Sequence, residues 1–502
     1  MATRQDRIGL ERLRGASPRL FDAVTRMVAC VRELAPEPGY RENAPRVFLV
    51  GGFVRDELIG RVSKDVDLEV YGIAPERLET ALADAFPGKM NVVGRAFGIL
   101  KIFVEEGIDL DIAIPRRESK SGAGHKGFAI SGDPLMAPQD ALRRRDFTVN
   151  AIAADAVTGE LVDPFGGAED LRARILRVVD PRTFPDDPLR VYRALQLAAR
   201  LELTVEPETI ELMRGMVSRG DLAELSNERI TEEIKKLLLK SARPSVGFVL
   251  ARELGIIERD YPELHALIGT EQEKEWHPEG DVWIHSLMVI DQAAKIIRRP
   301  DAAFSEAEKI QVILGSLCHD LGKPPTTKVI GGRIRSRGHE EAGVAPTTSL
   351  LGRWTFGADA LHACLAVVQD HLKPTMLYLS REKGELSDEQ YVNAVRRLLK
   401  RIAPMSWQVF LAAAEADSRG RAFPDADTGP YPQGRLFRET VEKLQQDGEA
   451  MKSLLQGRDL LELGVAPGPD MGKIIEAVEE ARDRGEIKTK EEAIELVKRL
   501  RS

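Results

Sequence analysis

Apolar residues recur along this chain in two different registers. Between about 45 and 175 they form short β-type runs, Val47 to Val50, Val66 to Val70, Ile99 to Val104 and Leu110 to Ile114, alternating with helical patterns and glycine turns. That alternation is the mark of an α/β domain with a small mixed sheet. Ala141 to Asp155 begins as a helix and ends in apolar structure, and Asp163-Pro-Phe-Gly-Gly167 reads as a tight turn. Beyond Asp180-Pro181 the spacing becomes helical, in Pro188 to Leu201, Glu206 to Arg214, Glu228 to Leu239 and Ser245 to Leu254, with no strong strand signal. Residues 275 to 440 are also helical and hold six of the eight histidines. Ahead of the α/β region, residues 1 to about 40 read as an amphipathic helix that stops at Pro36-Glu-Pro-Gly39. At the other end, a Pro467-Gly-Pro469 break precedes two charged helices.

Composition narrows the picture. A chain of 502 residues exceeds one hydrophobic core, so two to four domains are expected. Aromatics are only 5% while Ala, Leu, Glu and Arg abound, which favours helix. No run approaches the roughly 18 apolar residues of a membrane span, and the first residues lack the apolar core of a signal peptide; a cytoplasmic protein without membrane partners is expected. The cysteines, Cys30, Cys318 and Cys364, are widely spaced and odd in number, which suits a reducing compartment. A net charge of −8 excludes a globally basic nucleic-acid binder. Local basic runs remain at Arg143-Arg-Arg145, Arg333-x-Arg-x-Arg337 and Arg396-Arg397 with Lys400-Arg401, each of which reads first as a solvated face.

The chemistry starts at Val47-Phe-Leu-Val-Gly-Gly-Phe-Val-Arg-Asp56, followed by Lys64-Asp-Val-Asp-Leu-Glu-Val70. Residues two apart on a strand point the same way, so Asp65 and Asp67 can share a divalent metal while Val66, Leu68 and Val70 face the opposite side. Gly51 and Gly52 lie between an apolar strand and the helix that starts near Val54; backbone N–H groups at such a junction cradle phosphates, and Arg55 adds charge. Asp109-Leu-Asp-Ile-Ala113 offers a third carboxylate, with Asp111 the choice. Ser119-Lys-Ser-Gly-Ala-Gly124 is small and flexible enough to close over a substrate, and Arg145 adjoins an apolar segment where it can meet phosphate. Asp187 precedes a helix that carries Arg190 and Arg193 on one face. A carboxylate accepts from the exocyclic amine of cytosine or adenine and an arginine donates to the ring nitrogen beside it, so Asp187 with Arg190 can select CTP and ATP.

The motifs Gly51 to Asp56, Lys64 to Asp67, Arg144-Arg-Asp-Phe-Thr-Val-Asn-Ala151, Asp163 to Gly167 and Asp187 to Arg193 resemble the class II tRNA nucleotidyltransferases, meaning the CCA-adding enzymes and the bacterial poly(A) polymerases related to them. The resemblance implies that Asp65 and Asp67 bind Mg²⁺, that Gly52 and Arg55 contact the nucleotide, and that Arg145, Arg190 and Arg193 complete its pocket. It further implies attack of the tRNA 3′-hydroxyl on the α-phosphate of CTP or ATP, releasing pyrophosphate. The family often has Glu-Asp in the base-reading motif, where this chain has Asp186-Asp187.

In the histidine-rich region, His285 lies in an apolar helix, His319-Asp320 follows in Leu317-Cys-His-Asp-Leu-Gly-Lys-Pro324, and Asp417 comes from Glu415 to Arg421. Such a set makes a mixed nitrogen and oxygen site for a divalent transition metal, with His339 and His371 as further ligands or substrate contacts. The pattern resembles the HD phosphohydrolases. With Trp276-His-Pro-Glu279, Gly338 to Gly343 and Tyr431-Pro-Gln-Gly-Arg435, it is similar to the HD module of the bacterial multifunctional CCA proteins, which implies hydrolysis of phosphomonoesters and 2′,3′-cyclic phosphates.

The expected architecture is multidomain: an N-terminal helical extension (1–44), an α/β nucleotidyltransferase head (45–178), an all-α body of the RNA-binding type (179–270), an all-α HD domain (271–440) and a helical tail (441–502). The leading function is CCA addition to the tRNA 3′ end. Its rivals are addition of CC or A alone, poly(A) synthesis, and an HD phosphohydrolase with a regulatory nucleotide-binding head.

Overall fold

The computed structural model describes residues 7–93, 99–120, 128–446, 454–483, 486–487 and 489–501. The chain divides into two compact units, Met1–Glu233 with Leu250–Gly255, and Ile234–Val249 with Ile256–Ser502. This division is coarser than the five segments expected from sequence.

The first unit is built on a seven-stranded mixed sheet. Its strands are β1 (Arg46–Val50), β2 (Val66–Tyr71), β3 (Met90–Val93), β4 (Ile99–Glu105) and β5 (Ile108–Ala113), followed, after the hairpin β6 (Arg116–Lys120) and β7 (Phe128–Gly132), by β8 (Ala153–Asp155) and β9 (Leu161–Val162). The order is β3-β4-β5-β2-β1-β8-β9; β2 and β5 run parallel and the other neighbours antiparallel. Val66, Leu68 and Val70 are buried as the alternation requires. The N-terminal extension is two helices, Glu11–Ala16 and Pro18–Arg32, broken at Ser17. The second buries Leu20, Val24, Met27 and Val31 and packs on β1, β4, β5 and the helix Pro75–Ala85. Each of those side chains contributes roughly 1.5–3 kcal/mol by leaving water.

Strands β3, β6, β7, β8 and β9 go beyond the runs read from sequence. So does a short parallel pair, β10 (Ile175–Leu176) at the end of the head with β11 (Thr204–Val205) in the stretch expected to be purely helical. Two-residue strands carry too few residues for a period to register.

The second unit is helical. Helices Val282–Ile296, Glu306–Cys318, Ala358–Asp370 and Trp407–Arg419 pack together as its core. Gly315 lets two of them approach closely, since a Cβ there would sit 2.9 Å from Val367. A hairpin of β12 (Thr327–Ile330) and β13 (Arg333–Ser336), turned by Gly331-Gly332, is an addition to the all-α expectation. The tail helices Gly457–Glu462, Pro469–Asp483 and Lys490–Arg501 share a small apolar cluster that includes Leu455, Leu460, Val478 and Val497. Among the described residues no helix is long and apolar enough to cross a membrane.

Candidate active sites

The Gly-Gly junction and the carboxylates meet at one end of β1 and β2. Gly51 has φ +64, and a Cβ on it would lie 2.6 Å from Arg145 Nη1 and 3.8 Å from Asp67 Oδ2, so a bare backbone is required there. Gly52 opens the helix Gly52–Leu58. Asp67 is paired in register with Asp111 across the parallel β2–β5 ladder, which puts both carboxylates on one face. The spacing predicts Asp65 within the strand, but it sits one residue before β2, with its N–H held by Ser63 Oγ at 3.2 Å. Burial and the neighbouring Asp65 push the Asp67 carboxyl up to about 6, against the pull of Arg145. Asp111 is not a free third ligand. Lys101, its partner on β4, lies 2.8 Å from its carboxylate. The cluster of Asp65, Asp67, Glu69 and Asp111 carries more negative charge than Lys101 and Arg145 offset, which suits a hard cation taking oxygen ligands.

Arg145, Arg190 and Arg193 are brought together around one segment. Arg190 donates to the carbonyls of Thr183 and Arg144, each at 2.8 Å, and Arg193 Nε donates to Asp146 at 2.7 Å. Arg145, between them, donates to Glu69 at 3.1 Å. Burial alone would raise the Asp146 carboxyl, but Arg193, Asn150 and the Phe147 N–H hold it below its usual range. Asn150 donates to Asp146 at 3.0 Å and accepts from Arg55 at 2.6 Å, and Arg55 is also bound to Asp56 at 2.8 Å. Arg55 is therefore 4% exposed and committed to a buried network, where the sequence reading had it facing the nucleotide. That network joins the Gly-Gly helix to the helix that carries Arg190 and Arg193. Asp187 accepts from the Leu189 N–H at 3.3 Å, while the helix itself starts at Leu189. Its ion-pair partner is Arg229, 3.1 Å away. The proposed closing loop, Ser119 to Gly124, lies outside the described residues from position 121 on.

In the second unit all six expected residues converge. His285 Nε2 is 3.1 Å from Asp417 and 3.2 Å from His319 Nε2, and His319 Nε2 is 3.1 Å from Asp320. His339 Nε2 stands 3.5 Å from Asp320, and the His371 ring centroid is 5.1 Å from that of His319. His285, His319 and Asp417 form one group of donor atoms within 4.8 Å of one another, and His319, Asp320 and His371 form a second. Backbone carbonyls orient the rings: the Nδ1 atoms of His319, His339 and His371 face Ser316, Ser336 and Val367, which leaves each Nε2 aimed inward. Burial and the neighbouring His319 push His371 down to about 3, keeping it a neutral imidazole. Burial opposes ionisation of Asp320 and Asp417, yet His319 and Lys323 around the first, and Arg421 and His285 around the second, hold both well below the usual range. Imidazole nitrogens beside ionised carboxylates are a donor set that fits a divalent transition metal.

Three family models match in succession. The Poly A polymerase head domain covers residues 47–177, the probable RNA and SrmB-binding site of polymerase A 202–268, and the HD domain 282–407. A multifunctional CCA protein of Stenotrophomonas maltophilia (strain R551-3) is 37% identical over 434 residues, spanning 86% of this chain and 97% of its own. This chain belongs to the multifunctional CCA protein family. Another member, from Actinobacillus pleuropneumoniae serotype 5b (strain L20), is 34% identical over 420 residues, spanning 82% of this chain and 95% of its own. The fold is shared with the Bacillus stearothermophilus CCA-adding enzyme in complex with CTP, at a TM-score of 0.59 and 22% identity over 97% of this chain and 98% of that one. It is likewise shared with the Thermotoga maritima CCA-adding enzyme complexed with tRNA, at a TM-score of 0.56 and 19% identity over 97% and 96%.

Several residues that shape the sites of this family member had no assigned role from sequence. Glu69, Asp146, Asn150 and Arg229 act in the first unit through partners 42 to 95 residues away in the chain, and Lys101 through its cross-strand partner Asp111. In the second, Glu279 lies 2.9 Å from His277 Nδ1 and 2.8 Å from His285 Nδ1, and Lys323 lies 2.7 Å from Asp320. Glu279 and His277 stand in the Trp276-His-Pro-Glu279 motif, and their contact with His285 gives them a role.

Proposed function

We propose that the chain is a template-independent tRNA nucleotidyltransferase that builds or repairs the 3′-terminal CCA from CTP and ATP, and that its second unit hydrolyses phosphomonoesters and 2′,3′-cyclic phosphates. The observation that carries the first half is Asp67 beside Asp111, with Gly51 and Arg145 against them. When bound, Mg²⁺ on Asp65 and Asp67 supplies Lewis acidity to phosphoryl oxygens, as does a transition metal on His285, His319, Asp320 and Asp417 in the other unit. Arg145 meets the triphosphate, and Gly51 and Gly52 leave its backbone approach open. The tRNA 3′-hydroxyl attacks the α-phosphorus, the bond to the β-phosphate oxygen breaks, and pyrophosphate leaves. Asp187, steadied by Arg229, accepts from the amine of cytosine or adenine, and Arg190 donates to the adjoining ring nitrogen. His339 and His371 take a second metal or the substrate phosphate. The free thiols of Cys30, Cys318 and Cys364 fit a reducing cytoplasm, where tRNA is matured.

The test is incubation with tRNA ending before CCA, after CC, or complete, with each single NTP and Mg²⁺, read at single-nucleotide resolution. Two CMP additions followed by one AMP support the reading. Stopping after CC, or adding A alone, indicates a partial enzyme; a long A tail indicates poly(A) synthesis; no incorporation indicates a regulatory head.

A further inference from the structure

A cavity of about 260 Å³ opens onto the histidine cluster, and its rim carries features that metal binding leaves unexplained. Trp276 lines it, yet the residue is 54% exposed. Its backbone is held in place. The Trp276 and His277 N–H groups both donate to the Glu273 carbonyl, at 3.0 and 2.9 Å, and His277 is anchored through Glu279 to the ligand candidate His285. The Glu273 carboxylate accepts from the Ile334 N–H at 3.0 Å, which fastens this turn to the β12–β13 hairpin.

One side of the hairpin, Ile334 and Ser336, lines the cavity. The other carries Lys328 directly opposite Arg335, a like-charge pair that weakens a hairpin. Arg337 follows, exposed. Arg333 is paired with Glu275 at 3.1 Å, but Lys328, Arg335 and Arg337 have no carboxylate within ion-pair distance among the described residues. An exposed aromatic on an anchored turn beside the histidine cluster, backed by unneutralised cations, is what a single-stranded nucleic acid end requires: a face for a base and charge for its phosphates.

We infer that Trp276 is the stacking platform for the terminal base of an RNA 3′ end whose phosphate enters the cluster, and that Lys328, Arg335 and Arg337 bind the preceding phosphodiesters. This rests on the phosphohydrolase reading and assigns the residues that hold the base and the backbone of its substrate.

The test uses the full chain loaded with Mn²⁺ and three substrates: 2′,3′-cyclic CMP, a short RNA ending in a 2′,3′-cyclic phosphate, and glycerol 2-phosphate, which has no base. Trp276→Ala is expected to raise KM for both nucleotide substrates roughly tenfold with kcat and glycerol 2-phosphate hydrolysis unchanged, and Trp276→Phe to restore it. Lys328→Ser, Arg335→Ser and Arg337→Ser together are expected to raise KM for the RNA alone and to flatten its dependence on log salt by about 2. A second readout needs no metal: 2′,3′-cyclic CMP should quench tryptophan fluorescence in the parent protein and not in Trp276→Phe. Unchanged KM values, or an equal rise for glycerol 2-phosphate, overturn the inference. If the parent hydrolyses none of the three, the phosphohydrolase reading fails, and the quench decides the platform by itself: lost in Trp276→Phe it upholds base stacking, unchanged it overturns it.

Discussion

Glu279→Gln removes one charge from a carboxylate that touches no substrate, and its effect can be worked out from its contacts. The side chain is 1% exposed. Its Oε1 faces the Nδ1 atoms of His277 and His285, while its Oε2 accepts from the Ala422 N–H at 3.1 Å. Burial opposes its ionisation, but the hydrogen bonds from His277 and His285 outweigh that and hold its pKa below the usual range. A glutamine has one oxygen for three donors, so its NH₂ must face either the imidazoles or the Ala422 N–H. Either way a buried donor meets a donor, at a cost of about 1–3 kcal/mol. Loss of the charge also weakens His285 as a ligand, an effect typically worth 10- to 100-fold in metal affinity, or about 1.4–2.7 kcal/mol. The assay is calorimetric titration of the metal-free protein with Mn²⁺ in an Asp67→Asn background, which silences the head site. A weakening within that range, with the unfolding temperature lowered by only a few degrees, is expected. A metal affinity equal to the parent's would refute the claim that Glu279 orients His285.

Three further outcomes are expected. Asp67→Asn should abolish CMP and AMP incorporation while leaving phosphohydrolysis intact, and His319→Ala should do the reverse; equal loss of both activities in either variant sinks the division of labour between the units. Gly51→Ala meets both a positive φ of 64° and Arg145 Nη1 at 2.6 Å, so incorporation on a sequencing gel should fall at least roughly tenfold, with phosphohydrolysis as the internal control. Asp146→Asn should destabilise the first unit by about 2 kcal/mol at neutral pH, a figure reduced because Arg193 is partly exposed. The folded-state pKa of Asp146 is depressed, so its contribution is complete above the unfolded value of about 3.9 and is lost as pH falls through the folded value. Thermal melts of parent and variant should converge in acid, and a gap independent of pH down to the folded value counts against an ionised Asp146.

What the sequence made legible was local. The Gly-Gly turn, the facing of Asp67 and the helix bearing Arg190 and Arg193 follow from turn chemistry and from periods of two and 3.6, and the structure places them accordingly, while Asp65 falls one residue short of the strand. Lys101 was not legible, because its pairing with Asp111 depends on the β4–β5 register, which no local pattern encodes. Arg55 shows the same limit from the other side. Its position in the first helical turn points toward phosphate, but Asn150, 95 residues away in the chain, claims its guanidinium. A charged residue beside a glycine turn has two uses, ligand and internal strut, and only tertiary contacts distinguish them.

The strut role changes how the head is understood. Arg55, Asn150, Asp146 and Arg193 form one chain of charge-assisted hydrogen bonds, buried up to the partly exposed Arg193, from the helix after the Gly-Gly turn to the helix after Asp187. The first helix begins at the proposed phosphate cradle, and the second presents the proposed base-reading pair. Such a chain is strong only when every member is satisfied, so it fixes the distance between the two helices. A site that chooses CTP or ATP without a template needs that distance fixed. Base contacts then discriminate only when the triphosphate is already seated, and a wrong base fails to align its α-phosphate rather than merely binding less tightly. Asn150→Ala breaks the chain without touching nucleotide. It should therefore raise misincorporation of UMP more than it raises KM for CTP, whereas a change confined to KM would mean that the two helices hold their spacing without it.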